Sequence, residues 1–188
     1  AGPSQEMTMK NRDSSKSAAT VSRWVLVAIA LLLSTQLQAQ LTLTQVEEDG
    51  LLFLREEEKL TRDVYTALYE TSGLQLFNNI LQSEQRHMDS ALTLITTYGL
   101  VDPAAGNAAG VFTNSDLQSL YDQLVAQGSA SQIAALQVGV LIEETDIADL
   151  ETAISNTTKP DILRTYGNLL KGSQNHLSAF TNNLAALG

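Results

Sequence analysis

The sequence predicts an all-α protein, and three observations carry that expectation. Only 5% of its 188 residues are aromatic and only three are proline. Ala, Leu and Gln are abundant, a composition that suits helices better than short packed strands. Beyond Leu41, apolar residues recur at spacings of three and four over four long stretches, and Gly or Ser/Thr/Asn clusters punctuate them.

The first 40 residues read as a leader, leaving 41–188 as one helical domain. Ala1 to Glu6, ahead of Met7 and Met9, read as residues left by expression cloning. Lys10, Arg12, Lys16 and Arg23 then form a positive start, Trp24 to Leu33 an apolar run, and Ser34 to Ala39 a polar tail ending on a small side chain. The run falls far below the ~20 residues of a spanning helix. Cleavage near Ala39 is therefore expected, although Leu37 is large for its place and leaves an uncleaved anchor open. Export to the periplasm or cell exterior follows.

In the mature chain the first long helix is predicted from about Gln45 to Thr71, stopped by Ser72-Gly73. The second runs from about Gln75 to Tyr98, stopped by Gly99. Val101 to Val111, with Pro103, reads as a loop. Thr113-Asn114-Ser115-Asp116 is a capping pattern that opens a short helix from Leu117 to Gln127. A second cap at Ser129-Ala130-Ser131 opens the third long helix, about Ser131 to Ile154, and Asn156 to Pro160 separates it from the fourth, Asp161 to about Leu187. Short links join helices one and two, and three and four, so these pair antiparallel. More than thirty residues part the second from the third, enough for a crossover carrying the short extra helix.

Charge and cysteine content narrow the function. After residue 40, 7 Lys+Arg stand against 19 Asp+Glu. Such a surface repels nucleic acid and anionic membranes and attracts small cations. With no cysteine, disulfides, thiolate zinc sites and iron–sulfur clusters are excluded, so any metal is held by oxygen and nitrogen.

Polar residues interrupt the apolar seams. The seam of the first helix passes Leu51, Leu54, Glu58, Thr61, Tyr65 and Leu68; that of the second passes Phe77, Ile80, Glu84, His87, Ala91, Leu94 and Tyr98. The third passes Ile133, Leu136, Val140, Glu143, Ile147, Leu150 and Ile154, and the fourth Tyr166, Leu169, Ser173, His176, Phe180 and Leu187. Each interruption falls near mid-helix, so the four converge at one depth. Buried carboxylates without cations are costly, and a metal ion supplies the charge. Glu84 and His87, three apart, share one face. Oxygen with imidazole suits iron, manganese or zinc.

Competing readings stand beside this one. A lone histidine on an apolar face is more often a satisfied core residue than a ligand. Glu56 and Glu57 are expected on a solvated face, and Glu144 competes with Glu143. Tyr65, two turns beyond Glu58 on the same face, is open as a hydrogen-bond donor to a ligand, but packing is its expected role. Asp146 is open as a ligand, as a partner that orients a histidine, or as a surface acid.

The run Glu58-Lys-Leu-Thr-Arg62-Asp-Val-Tyr65 resembles the first-helix motif of rubrerythrins and other ferritin-like proteins, and Glu84-Gln-Arg-His87 resembles their Glu-x-x-His. The stretch from about Leu43 to Leu184 is also similar to an uncharacterised bacterial and archaeal branch of that superfamily. The resemblance implies an up-down four-helix bundle with a di-iron or di-manganese carboxylate site. In it Glu58 and Glu143 would be terminal ligands, Glu84 a bridge, and His87 and His176 caps on one or two ions. Ser173 departs from the pattern, standing where a second Glu-x-x-His would begin. Either one ion then binds tightly and a second weakly, or Glu144, Asp146 or water completes the count.

Two functional classes follow. One is an oxidoreductase of ferroxidase or peroxidase type, acting in oxygen, peroxide or iron(II) chemistry. The other is a non-enzymatic metal-binding, structural or interaction bundle. Homo-oligomerisation is compatible with both. Hydrolase motifs such as Gly-x-Ser-x-Gly are missing from the sequence.

Overall fold

The structure, a computed structural model, describes residues 2, 25–32 and 42–187. It divides into two units, Ala1–Thr42 and Leu43–Gly188. In the first, residues 25–32 are helical; the basic leader residues and Ala39 lie outside the described residues. In the second all regular structure is helical, with no strand among the described residues, and no helix is long and apolar enough to cross a membrane.

Local chemistry sets the helix limits. α1, Gln45–Ser72, opens on a capping box in which Glu47 N donates to Thr44 Oγ1 (3.2 Å) and Thr44 N donates to Glu47 Oε2 (2.8 Å). It closes at Gly73, whose φ of 68° only glycine adopts without strain and whose N–H donates to Tyr69 O. α2 spans Gln75–Thr97. α3, Ser115–Gly128, is capped by the Asn114 side chain, which accepts from Asp116 N and Leu117 N. α4, Gln132–Ser155, is capped by Ser131. α5, Pro160–Leu187, begins with the proline whose missing N–H costs nothing there. Each boundary falls within two residues of the sequence-based expectation.

α1 packs on α2 and α4 on α5; α1–α4 and α2–α5 contacts close the arrangement, and α3 rests on α1 and α4. Two apolar clusters result. One joins the end of α1, the start of α2, the start of α4 and the end of α5 through Leu68, Phe77, Leu136 and Phe180. The other joins the opposite ends through Leu51, Leu94, Leu150, Ile162 and Tyr166. Between them lies the polar layer. The predicted seams hold along α1 and α2, but the buried face of α4 is turned from its predicted seam. Ala135, Val138, Gly139, Ile142 and Asp146 are buried with Leu136, Glu143 and Leu150, whereas Val140 and Ile147 are half-buried and Ile133 is 45% exposed. On α5 the last seam residue, Leu187, is 49% exposed.

Residues 98–114 are bound to α1 by charge. Arg55 donates to both Asp102 oxygens (3.0 and 3.1 Å) and to Met88 O (3.1 Å). Lys59 donates to Asp63 (2.5 Å) and to Ala108 O (2.8 Å). Glu56 accepts from Thr113 N (2.5 Å) and Asn114 N (3.0 Å). The expected solvated face at Glu56 and Glu57 is thereby corrected: they are 3% and 7% exposed. Glu56 serves the orphan amides of the loop, while Glu57 lies under the α1–α4 contact.

Candidate metal centre

Five side chains from four helices meet in the layer between the two apolar clusters. Glu58 comes from α1, Glu84 and His87 from α2, Glu143 from α4 and His176 from α5, and all are buried. They form two groups, Glu58–Glu84–His87 and Glu84–Glu143–His176. Within each group, one ligand atom per residue lies inside 4.8 Å of the others. Glu84 belongs to both. The two imidazoles stack with ring centroids 5.6 Å apart. Of the rival acids, Glu144 points to solvent, one residue away from the buried Glu143, because successive helical residues are turned about 100° from each other.

The contacts inside this layer are close yet poorly formed as hydrogen bonds. His176 Nδ1 lies 2.8 Å from Glu84 Oε1 and 3.5 Å from Glu143 Oε1. His87 Nδ1 lies 3.3 Å from Glu58 Oε2 and 3.4 Å from Glu84 Oε2. Even so, Glu58 Oε1, Glu84 Oε1, His87 Nδ1, His176 Nδ1 and Asp146 Oδ1 are all buried without an aligned hydrogen-bond partner. Each of the two groups of donor atoms could hold an ion between them.

Electrostatics agree. Burial pushes Glu58 up to about 8, aided by the Asp146 charge and opposed by His87. Burial pushes Glu143 up to about 7. Burial opposes charge on the histidines, but their carboxylate neighbours outweigh it, raising His87 to about 11 and His176 to about 9. Burial also acts to raise Glu84, yet the two histidines bring it below the ordinary carboxylate value. Without a cation the layer balances its charge by holding protons.

Three features refine the sequence reading. The Tyr65 ring packs against Phe77 and Phe180, and its hydroxyl also donates to Glu143 Oε1 at 2.6 Å, fixing that carboxylate. Asp146, left open in the sequence, is 6% exposed and accepts from Ser173 Oγ. Burial and the charges of Glu143 and Glu84 raise it to about 7, against the Ser173 bond. The signal for it was its position three residues after Glu143, on the same helical face. Gly172 was missed: a Cβ there would stand 2.5 Å from His87 Nε2, so a glycine is what lets that ring sit against α5.

A sequence profile described as an uncharacterized protein domain, DUF2202, matches residues 47–188. The chain is similar to the uncharacterized protein MJ0754 of Methanocaldococcus jannaschii, with 47% identity over 146 residues, 78% of this chain and 79% of that one. The crystal structure of the hypothetical protein MJ0754 matches with a TM-score of 0.77 at 46% identity, covering 78% of this chain and 84% of that one.

Proposed function

The chain belongs to the DUF2202 family, and on that premise we propose that it is a ferritin-like metal-binding protein with a di-iron or di-manganese type of carboxylate site. In this reading α1, α2, α4 and α5 form an up-down four-helix bundle, and the stretch carrying α3 is its crossover. The leader sequence adds export to the proposal. The observation that carries it is the set of buried, unaligned donor atoms falling into two groups that share Glu84.

The donor set fits the ion. Carboxylates and imidazoles suit iron, manganese or zinc, and the formal charges of Glu58, Glu84, Glu143 and Asp146 match those of two divalent cations. When bound, redox-active ions would supply oxygen or peroxide reduction coupled to oxidation of iron(II). The protein's own part is positional. Tyr65 orients Glu143, Ser173 orients Asp146, Gly172 admits His87, and the flanking apolar clusters keep bulk water from the layer.

Elemental analysis tests the reading. Mature protein is expected to carry one or two ions of iron, manganese or zinc per chain, and the Glu84→Ala/His87→Ala double variant none. Equal metal in both would sink the proposal. Anaerobic iron(II) loading followed by oxygen or peroxide then separates redox from structural use. A structural use has its own support, since the layer joins all four helices: chelation would lower the melting temperature while neither oxidant was consumed.

A further inference from the structure

The groove between α1 and α4 contains two cavities, of about 310 Å³ and about 200 Å³. Phe53, Glu57 and Asp149 line both, so the cavities adjoin at this carboxyl pair. The smaller one extends inward to Asp146, and its remaining wall is largely apolar, with Leu117, Leu120 and Leu124 of α3. Glu57 is buried and Asp149 half-buried, and the two carboxyls are close enough that Asp149 helps raise the proton affinity of Glu57, after burial and the charge of Asp146.

The ion pairs among the described residues leave Glu57, Asp146 and Asp149 without a Lys or Arg partner. The cations nearest in sequence, Arg55, Lys59 and Arg62, are committed to Asp102 and Asp63. Neither Glu57 nor Asp149 belongs to the two ligand groups. Asp146, also outside those groups, lines the cavity, lies close enough to Glu58, Glu84 and Glu143 for their charges to act on one another, and keeps Oδ1 buried without a partner. Carboxyl groups therefore run in sequence from the groove surface to the centre, between apolar walls that focus their field on a cation. A row of oxygens also offers replacements for the water a divalent cation sheds on its way in.

We propose that the α1–α4 groove is the port by which divalent cations reach the centre, passed from Asp149 and Glu57 to Asp146. The proposal rests on the metal-binding reading and adds a path to it. Stopped-flow loading of the full chain with cobalt(II), followed by visible absorbance, tests it. The Glu57→Gln/Asp149→Asn variant is expected to load about tenfold or more slowly, the scale of electrostatic guidance into a cleft, and to reach the same cobalt content per chain. Leu120→Trp, which crowds the groove without altering charge, is expected to slow loading as well. Glu151→Gln, an exposed acid on α4, serves as the surface control.

Loading of both groove variants at the parent rate would overturn the port. So would a lower final cobalt content in the Glu57/Asp149 variant, which would make these residues ligands. Circular dichroism keeps misfolding apart from slow uptake, and Leu120→Trp alone decides if the double variant fails to fold. A parent protein that takes up no cobalt, iron, manganese or zinc would instead remove the metal-binding reading, a result distinct from equal rates.

Discussion

Ser173 on α5 donates its hydroxyl proton to Asp146 on the facing α4, and both side chains are buried beside the ligand groups. The residue that breaks the expected second Glu-x-x-His thus holds a carboxylate supplied by the opposite helix. A serine side chain is too short to bring charge to the centre; it can orient charge that comes from elsewhere. In the proposed metal site, an acid three residues beyond Glu143 would offset the missing carboxylate.

Ser173→Ala and Asp146→Asn are accordingly expected to weaken manganese or iron(II) binding by about 10- to 100-fold, the usual effect of removing a supporting or adjoining group at a metal site. Because the two act as one unit, the double variant should be no worse than the weaker-binding single. Isothermal titration of all three against the parent checks this. Parent-like affinity in Asp146→Asn would take Asp146 out of the centre.

Two glycines of α5 make a matched pair. At Gly172 a Cβ would meet His87 Nε2 at 2.5 Å and Cε1 at 2.7 Å, whereas at Gly167 it would meet nothing within 4 Å. Gly172→Ala is expected to cost about 1–3 kcal/mol by overpacking and to weaken metal binding by displacing the ring. Gly167→Ala is expected to add about 0.5–1 kcal/mol, because alanine loses less backbone entropy in a helix. Urea denaturation of the chelated proteins measures both, and equal effects would refute the close approach at His87.

The protons held in the polar layer predict a pH dependence. Glu58, Glu143 and Asp146 titrate in the folded chain near 8, 7 and 7, above ordinary values of 4.5, 4.5 and 3.8. His87 and His176 titrate near 11 and 9, above 6.5. Between about pH 5 and 9 the folded chain therefore binds more protons than the unfolded one, and stability falls as pH rises. The histidine contribution is complete below 6.5 and is lost as pH rises through 9 and then 11. Glu84, shifted the other way, matters only in more acidic solution. The melting temperature of chelated protein is expected to fall from pH 5 to 9, and metal, by displacing the protons, to flatten that slope. A chelated protein equally or more stable at pH 9 would contradict this charge balance.

The order and limits of the helices were legible in the sequence because caps and glycine stops are local: Asn114, Ser131 and Gly73 act on amides and dihedrals within a turn of themselves. The convergence of Glu58, Glu84, His87, Glu143 and His176 was legible too, since the 3.6-residue period fixes which face each occupies. It also favoured Glu143 over Glu144.

Other features depended on what each face meets across space. Glu56 and Glu57 have the composition of a solvated run, yet a loop more than fifty residues away and α4 cover them. Whether Asp146 reached the centre or the surface was settled by Ser173 on another helix, and the space for His87 by a missing Cβ on α5. Periodicity orients a side chain about its own helix axis, but its partner is chosen by helix packing. Sequence alone therefore determined the helices and the apolar seams of α1 and α2, while tertiary structure decided which face of α4 turns inward, which acids share a core, which tether a loop and which line the groove.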